Sequence, residues 1–168
     1  MTNPNVDSTA AIPDTATPAR VKPTPPVGAS TDTQPNAAAA TATTLVVDIG
    51  GSGTKVMLLN AVGEPLSDRD RIPTPDPATP ETVMAVVEEL AERNAGFDRV
   101  SVGFPGIVKQ GVIYSAANLD KSWLEYDLGQ TLQGRLGKPV RVANDADIQG
   151  LGAMQGQGVE LTVTLGTG

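Results

Sequence analysis

The run Leu45-Val46-Val47-Asp48-Ile49 stops at Gly50-Gly51-Ser52-Gly53, and a second apolar run starts at once from Thr54 to Leu59. A β-branched run, a tight glycine turn and another such run form a β-hairpin. Everything after it alternates between short apolar runs and segments of helical spacing. A sheet that opens with a hairpin and continues through β/α units is mixed, with helices on its faces.

Ala61-Val62-Gly63-Glu64 is the next turn, and Pro65 to Ile72 reads as a third strand. Its charges, Asp68, Arg69, Asp70 and Arg71, suit an exposed edge. The breaker cluster Pro73 to Pro77 ends it. Thr79 then caps a helix with Pro80 in its first position. Val83, Val86, Val87, Leu90 and Ala91 give that helix one buried face, and Gly96 ends it. Arg99 to Phe104 reads as a buried strand stopping at Pro105-Gly106. Ile107-Val108 and Val112-Ile113 flank Lys109-Gln110-Gly111 as a small hairpin. Asp127 and Gln130 have capping-box spacing, Leu128, Leu132 and Leu136 line one helix face, and Gly137 closes the helix. Val140 to Ala143 is a strand, Asn144-Asp145 precedes a helix running to about Gln155, and Glu160 to Leu165 is a last strand. The order is thus three strands, a helix, a strand, a small hairpin, then α-β-α-β, with no solenoid repeat.

The segment before this pattern differs. Residues 1–43 are rich in Thr, Ala, Pro and Asn and hold seven of the 14 prolines. Such a segment cannot bury enough surface to offset its ordering entropy, so it reads as a disordered tail. It lacks the basic start and apolar stretch of a signal peptide. Its only cations, Arg20 and Lys22, do not make a helix-turn-helix. No run is apolar enough to span a membrane, and the expected location is cytoplasmic.

The 168 residues suffice for one domain. Aromatics are only 3 %, so the core must be built from Val, Leu, Ile and Ala. There is no cysteine and no histidine, which removes thiolate chemistry and the commonest general base, and leaves proton transfer to carboxylates. The net charge of −7, with its cations scattered, argues against nucleic-acid and membrane-surface roles.

Four constellations can carry chemistry. In Asp48 to Lys55, the backbone around Gly50, Gly51, Ser52, Gly53 and Thr54 can cradle phosphate oxygens. Lys55 adds a point charge, and Asp48 can hold Mg²⁺ directly or through water. An ordinary hairpin turn is the plainer alternative; the spacing matches neither a Walker loop nor a dinucleotide fingerprint. Asn144-Asp145 sits at the C-terminal end of a strand, where ligands of open α/β sheets bind. A carboxylate there can accept a sugar hydroxyl proton, or simply cap the helix. Pro105-Gly106 with Ala116-Ala117-Asn118-Leu119-Asp120-Lys121-Ser122-Trp123 offers the Asn118 amide for a sugar hydroxyl and Trp123 as a pocket wall; a polar loop with one anchoring aromatic is the alternative. Leu165-Gly166-Thr167-Gly168 can form a second phosphate cradle.

In this order and spacing the four pieces resemble the ROK family of sugar kinases, over about Thr44 to Gly168. The resemblance implies the actin-like, ribonuclease-H-like α/β kinase fold. It divides the chain into a tail (1–43), an N-terminal kinase lobe (44–158) and the first strand of a second, truncated lobe (159–168). The segment Ala116 to Trp123 is similar to the polyphosphate glucokinase branch. By this resemblance, phosphate passes from polyphosphate or ATP to the 6-hydroxyl of glucose, with Asp145 as base. Gly106, Asn118, Asn144 and Asp145 bind the sugar. Gly50, Gly51, Ser52, Gly53, Thr54, Lys55, Thr167 and Gly168 bind phosphate, and Asp48 meets Mg²⁺. The family's His-bearing sugar motif is absent and zinc has no ligands in this segment. The isolated chain is therefore expected to be inactive or nearly so, and the full-length form to be a homodimer. The alternatives are another hexose or hexosamine kinase of the family, a non-catalytic sugar-sensing member, or an inactive fragment.

Overall fold

The structure, a computed structural model, describes residues 41–117 and 119–163. The opening hairpin forms as expected, with β1 (Thr44–Ile49) and β2 (Thr54–Leu59) paired antiparallel in the register Ile49–Thr54 and Asp48–Lys55. β3 (Asp70–Ile72) continues antiparallel on β2. β4 (Arg99–Phe104) lies parallel to β1 on its other side, and β7 (Val140–Asn144) lies parallel to β4. The five strands form one mixed sheet in the order β3-β2-β1-β4-β7. A separate small hairpin joins β5 (Val108–Lys109) to β6 (Val112–Ile113) through Gln110 and Gly111, both at positive φ.

Strand alternation decides which side of the sheet is dry. Leu45, Val47 and Ile49 of β1 and Val100, Val102 and Phe104 of β4 point to one face and are buried there. Helix α1 (Pro80–Arg93) packs on this face through Val83, Met84, Val86, Val87 and Leu90. Each such aliphatic side chain removed from water contributes about 1.5–3 kcal/mol. Thr79 caps α1 as expected, its hydroxyl accepting from the Thr82 amide at 3.4 Å. The helix ends at Asn94 rather than Gly96, because the Asn94 backbone and side-chain amides both donate to Leu90 O and close the last turn. Helix α2 (Leu128–Leu136) begins at Asp127, whose carboxylate accepts from Gln130 N at 2.9 Å, and ends on left-handed Gly137. Its Leu128 and Leu132 complete the core.

The opposite face carries Val46, Asp48, Lys55, Met57, Ser101, Gly103, Arg141 and Ala143. Among the described residues, only helix α3 (Asp145–Ala153) packs there, against β4 and β7. A Cβ on Gly103 would sit 3.6 Å from Ile148 Cδ1, in ordinary contact.

Two expected strands are revised. Pro65 to Ile72 is not a continuous strand: Pro65 bridges Leu59, Ser67 Oγ accepts from Leu58 N, and pairing resumes only at Asp70. The side-chain hydroxyl takes the ladder position that a backbone carbonyl would fill. Glu160 to Leu165 is not a strand over its described part, 160–163. No strand pairs with it there. Instead, the Glu160 carboxylate accepts from the amides of Gln155, Gly156 and Gln157, which bends the segment back on itself. Those backbone hydrogen bonds, from Gln155 above all, hold the Glu160 carboxyl below the usual range. The tail segment 1–40 lies outside the described residues.

Candidate active site

The parallel strands bring the distant motifs to one edge. Asp48 of β1 pairs in register with Gly103 of β4, and Gly103 pairs with Ala143 of β7. One step further along, Pro105-Gly106 follow β4 and Asn144-Asp145 join β7 to α3. The glycine turn 50–53 follows β1 on the same edge. The C-terminal ends of parallel strands are where open α/β sheets take their ligands.

The turn itself is tied down. Gly50 N donates to Gly53 O at 3.2 Å. Two residues that the sequence pattern did not mark hold it from outside: Thr74 Oγ1 donates to Gly50 O at 2.5 Å, and Arg71 Nη2 donates to Ser52 O at 2.7 Å. The Arg71 guanidinium occupies the space a Gly53 side chain would need, with a Cβ there only 2.4 Å from Arg71 Nε. The only signal for Arg71 in the sequence was its place on an edge strand, where a charge is unremarkable. Among the described residues the amides of Gly51, Ser52 and Gly53 donate to no protein acceptor, so they remain available to an anion. Lys55 is not free in the same way: its ammonium lies 3.0 Å from Asp48 Oδ2, a consequence of their cross-strand register. Thr54 is fully buried on the α1 side, beside Ile49, and its Oγ1 has no partner among the described residues. It is turned away from the edge where the turn opens.

At the other end of the site, Asn144 rather than Asp145 caps α3. Asn144 Oδ1 accepts from Asp147 N at 3.0 Å, and its Nδ2 donates to Gly106 O at 2.9 Å. One amide therefore fixes both the start of α3 and the corner after β4. The reading of Asp145 as the cap is corrected by this geometry. Asp145 is the first residue of the helix, with Oδ1 accepting from Ala146 N at 2.8 Å and Oδ2 unpartnered among the described residues. It is half-buried.

Gly106 is required by close packing. A Cβ there would lie 1.9 Å from Ser115 O, and the neighbouring Ile107 amide donates to Ser115 Oγ at 2.9 Å. Trp123 is not a pocket wall. It is fully buried between Phe104 and Tyr126, ring centroids 4.9 and 5.4 Å away, and its indole N–H donates to Ala78 O at 2.8 Å. An indole of this size fills the core gap beneath the loop, so the anchoring alternative holds. Asp120 opens the 3₁₀ turn Lys121–Trp123, and hydrogen bonds from the Ser122 hydroxyl and amide hold its carboxyl below the usual range. Asn118, Thr167 and Gly168 lie outside the described residues.

Chemically, the edge gathers a carboxylate with one unpartnered oxygen, a turn with unpaired amides, and a second carboxylate, Asp48. Among the described residues no three or more acidic side chains cluster to form a metal cage. Asp48 Oδ2 is taken by Lys55, and a single carboxylate in this position could hold Mg²⁺ through its other oxygen or through water, since that ion keeps several waters and is commonly held by one or two carboxylates together with substrate phosphates.

Known proteins resemble this chain in sequence and fold. The chain is 37% identical over 133 residues to polyphosphate glucokinase of Mycobacterium tuberculosis strain H37Rv, covering 73% of this chain and 49% of that protein. The crystal structure of an inorganic polyphosphate/ATP-glucomannokinase from Arthrobacter sp. strain KM superposes with a TM-score of 0.61 at 45% identity, covering 66% of this chain and 47% of the other. A ROK family glucokinase from Streptomyces griseus, solved with glucose and AMPPNP, gives a TM-score of 0.59 at 28% identity, over 66% of this chain and 35% of that one. The chain thus spans about half the length of the curated relatives it matches. The model of the ROK family matches residues 44–168, from the first residue of β1 through the whole described sheet, so the actin-like kinase fold implied by the resemblance is present and this chain belongs to the ROK family.

Proposed function

We propose that the protein carrying this chain is a glucose kinase that takes phosphate from polyphosphate or ATP. Asp145 is the general base. It accepts the proton of the glucose 6-hydroxyl as that oxygen attacks phosphorus. Gly106, Asn118 and Asn144 position the sugar, Asn144 by fixing the corner as well as by its own amide. The amides of Gly51, Ser52 and Gly53 bind the transferring phosphate in the turn that Gly50 opens, with Lys55, Thr167 and Gly168 in supporting positions; Thr54, buried on the α1 side, takes no part. Asp48 would hold Mg²⁺, directly or through water, and the ion would supply charge neutralisation for the phosphate. In such reactions alignment and charge neutralisation supply most of the rate.

The observation that carries this reading is the division of labour at residues 144 and 145. Asn144 performs the capping, and Asp145 is left with an unpartnered oxygen at the C-terminal end of β7. The names of the similar proteins support the sugar and both donors. One of them is named a glucomannokinase, which favours mannose as a second acceptor. Residues 159–168 lead into a second lobe in this reading, the location is cytoplasmic, and the assembled enzyme is a homodimer.

The test is Asp145→Asn. Glucose 6-phosphate formation should fall by about 10²–10⁴-fold, with glucose affinity, read by titration calorimetry, within about threefold of the parent. Undiminished turnover in the variant sinks the assignment.

A further inference from the structure

We propose that Arg71, with Arg69 behind it, binds the phosphoryl donor, and that the two cations favour an extended phosphate chain over a nucleotide. This rests on the donor-site reading above and adds residues to it.

Lys55 is the cation nearest the glycine turn in sequence, but its ammonium is engaged by Asp48 at 3.0 Å. Arg71 is placed otherwise. Alternation on β3 sends Asp70 to the α1 side, where Asn94 Nδ2 lies at 3.3 Å and Arg93 Nη1 at 3.8 Å. The same alternation sends Arg71 to the site face, directly across from Lys55. Its guanidinium lies against Gly53 and donates to Ser52 O, and among the described residues no carboxylate lies within 4.0 Å of it. One N–H of the planar fork is used on the turn. The rest stay beside the free amides of Gly51, Ser52 and Gly53. A guanidinium lying against a turn whose backbone amides are free makes a site for phosphate oxygens.

Arg69, two residues earlier, lines the shallow cavity that also holds Asp48 and Lys55, and it too lacks an ion pair among the described residues. The cations therefore run from the turn along β2 and β3. A nucleotide presents a short run of phosphates and then an uncharged ribose and base. Inorganic polyphosphate presents charge at every unit, so a long chain that engages the first arginine still carries charge for the second. Val46, Met57 and Leu59 in the same cavity give the competing outcome, a base resting on an apolar floor.

The experiment is an NMR titration of the isotope-labelled 168-residue chain with tripolyphosphate, long-chain polyphosphate, ATP and glucose. Saturable shifts at the Gly51–Gly53 amides and at Arg71 Nε are expected with polyphosphate. Arg71→Ala and Arg71→Lys should each weaken it about tenfold, the latter because an ammonium cannot reproduce the fork. Arg69→Ala should erase the advantage of the long chain over tripolyphosphate and leave tripolyphosphate within about twofold. Lys138→Ala, at the N-terminal end of β7, should change neither by more than about twofold. Unchanged binding in Arg71→Ala overturns the proposal. So does an equal loss in Lys138→Ala, which would mean general charge attraction, or tighter binding of ATP than of long-chain polyphosphate. If both Arg71 variants unfold, the parent's Arg71 Nε resonance decides: no shift on saturation overturns it. Glucose shifts at Gly106 and Asp145 with a silent turn would sink this inference and leave the kinase reading standing. Shifts at the turn without glucose binding would do the reverse.

Discussion

The glycine turn at 50–53 and the corner at 104–106 follow neighbouring strands, and they are held by different means. The turn is gripped by side chains from elsewhere: Thr74 on the Gly50 carbonyl and Arg71 on the Ser52 carbonyl. The corner is held by its own backbone, with Gly106 pressed against the Ser115 carbonyl, and by the two-ended Asn144 amide. A side-chain grip can shift when a ligand arrives, because a rotamer change is cheap. A backbone contact cannot. The two sides of the site therefore differ in stiffness, and glycine serves a different purpose in each.

Substitutions can break this comparison. Gly106→Ala should have the largest effect, about 2–3 kcal/mol of lost stability, because a Cβ placed 1.9 Å from a carbonyl oxygen forces the backbone to move. Urea unfolding measures it, and a loss under about 1 kcal/mol would show that the corner yields. Asn144→Ala removes the cap of α3 and the link to Gly106 together, and should cost about 1–2 kcal/mol in the same assay. Gly53→Ala comes next. Its Cβ meets only the far end of Arg71, which can swing aside, so the cost should stay below about 1 kcal/mol. A Gly53→Ala loss equal to that of Gly106→Ala would erase the distinction drawn between turn and corner.

The smallest expected effect concerns the loop beyond the corner. Asp120 has a depressed carboxyl value, so its contribution is present above 3.8, the ordinary value, and is lost as pH falls through the lower folded one. Asp120→Asn should flatten that acid-side dependence by removing the small contribution present at neutral pH, leaving the stability at low pH unchanged. Carboxyl titration followed by NMR checks the sign: a midpoint above 3.8 would contradict the hydrogen bonds from Ser122.

Much of the fold was legible because local rules and tertiary packing agree. The glycine turn, the Thr79-Pro80 start, the Asp127 cap and the Gly137 stop each satisfy a backbone requirement within four residues of themselves, and each formed where expected. The errors fall where the deciding partner is distant or a side chain competes with the ladder. Ser67 interrupts the third strand by accepting from Leu58 N. Glu160 turns its segment toward three amides in place of extending it. Within the site, the Asn144-Asp145 pair was found correctly but its capping role was given to the wrong member, since spacing alone does not say which of two adjacent short polar side chains faces the helix amides.

The sequence by itself determined the order of strands and helices, the hairpin opening and the two motifs at Asp48 and Asp145, because periodicity, turn residues and caps act over short distances. It also ruled out histidine and thiolate chemistry by composition. Only the tertiary structure decided that Lys55 is occupied by Asp48, that Trp123 is core, and that Arg71 reaches the glycine turn. The placements of Lys55 and Arg71 depend on cross-strand register, and a shift of one residue would have reversed both; that of Trp123 depends on the core gap between Phe104 and Tyr126, which neighbouring sequence does not define.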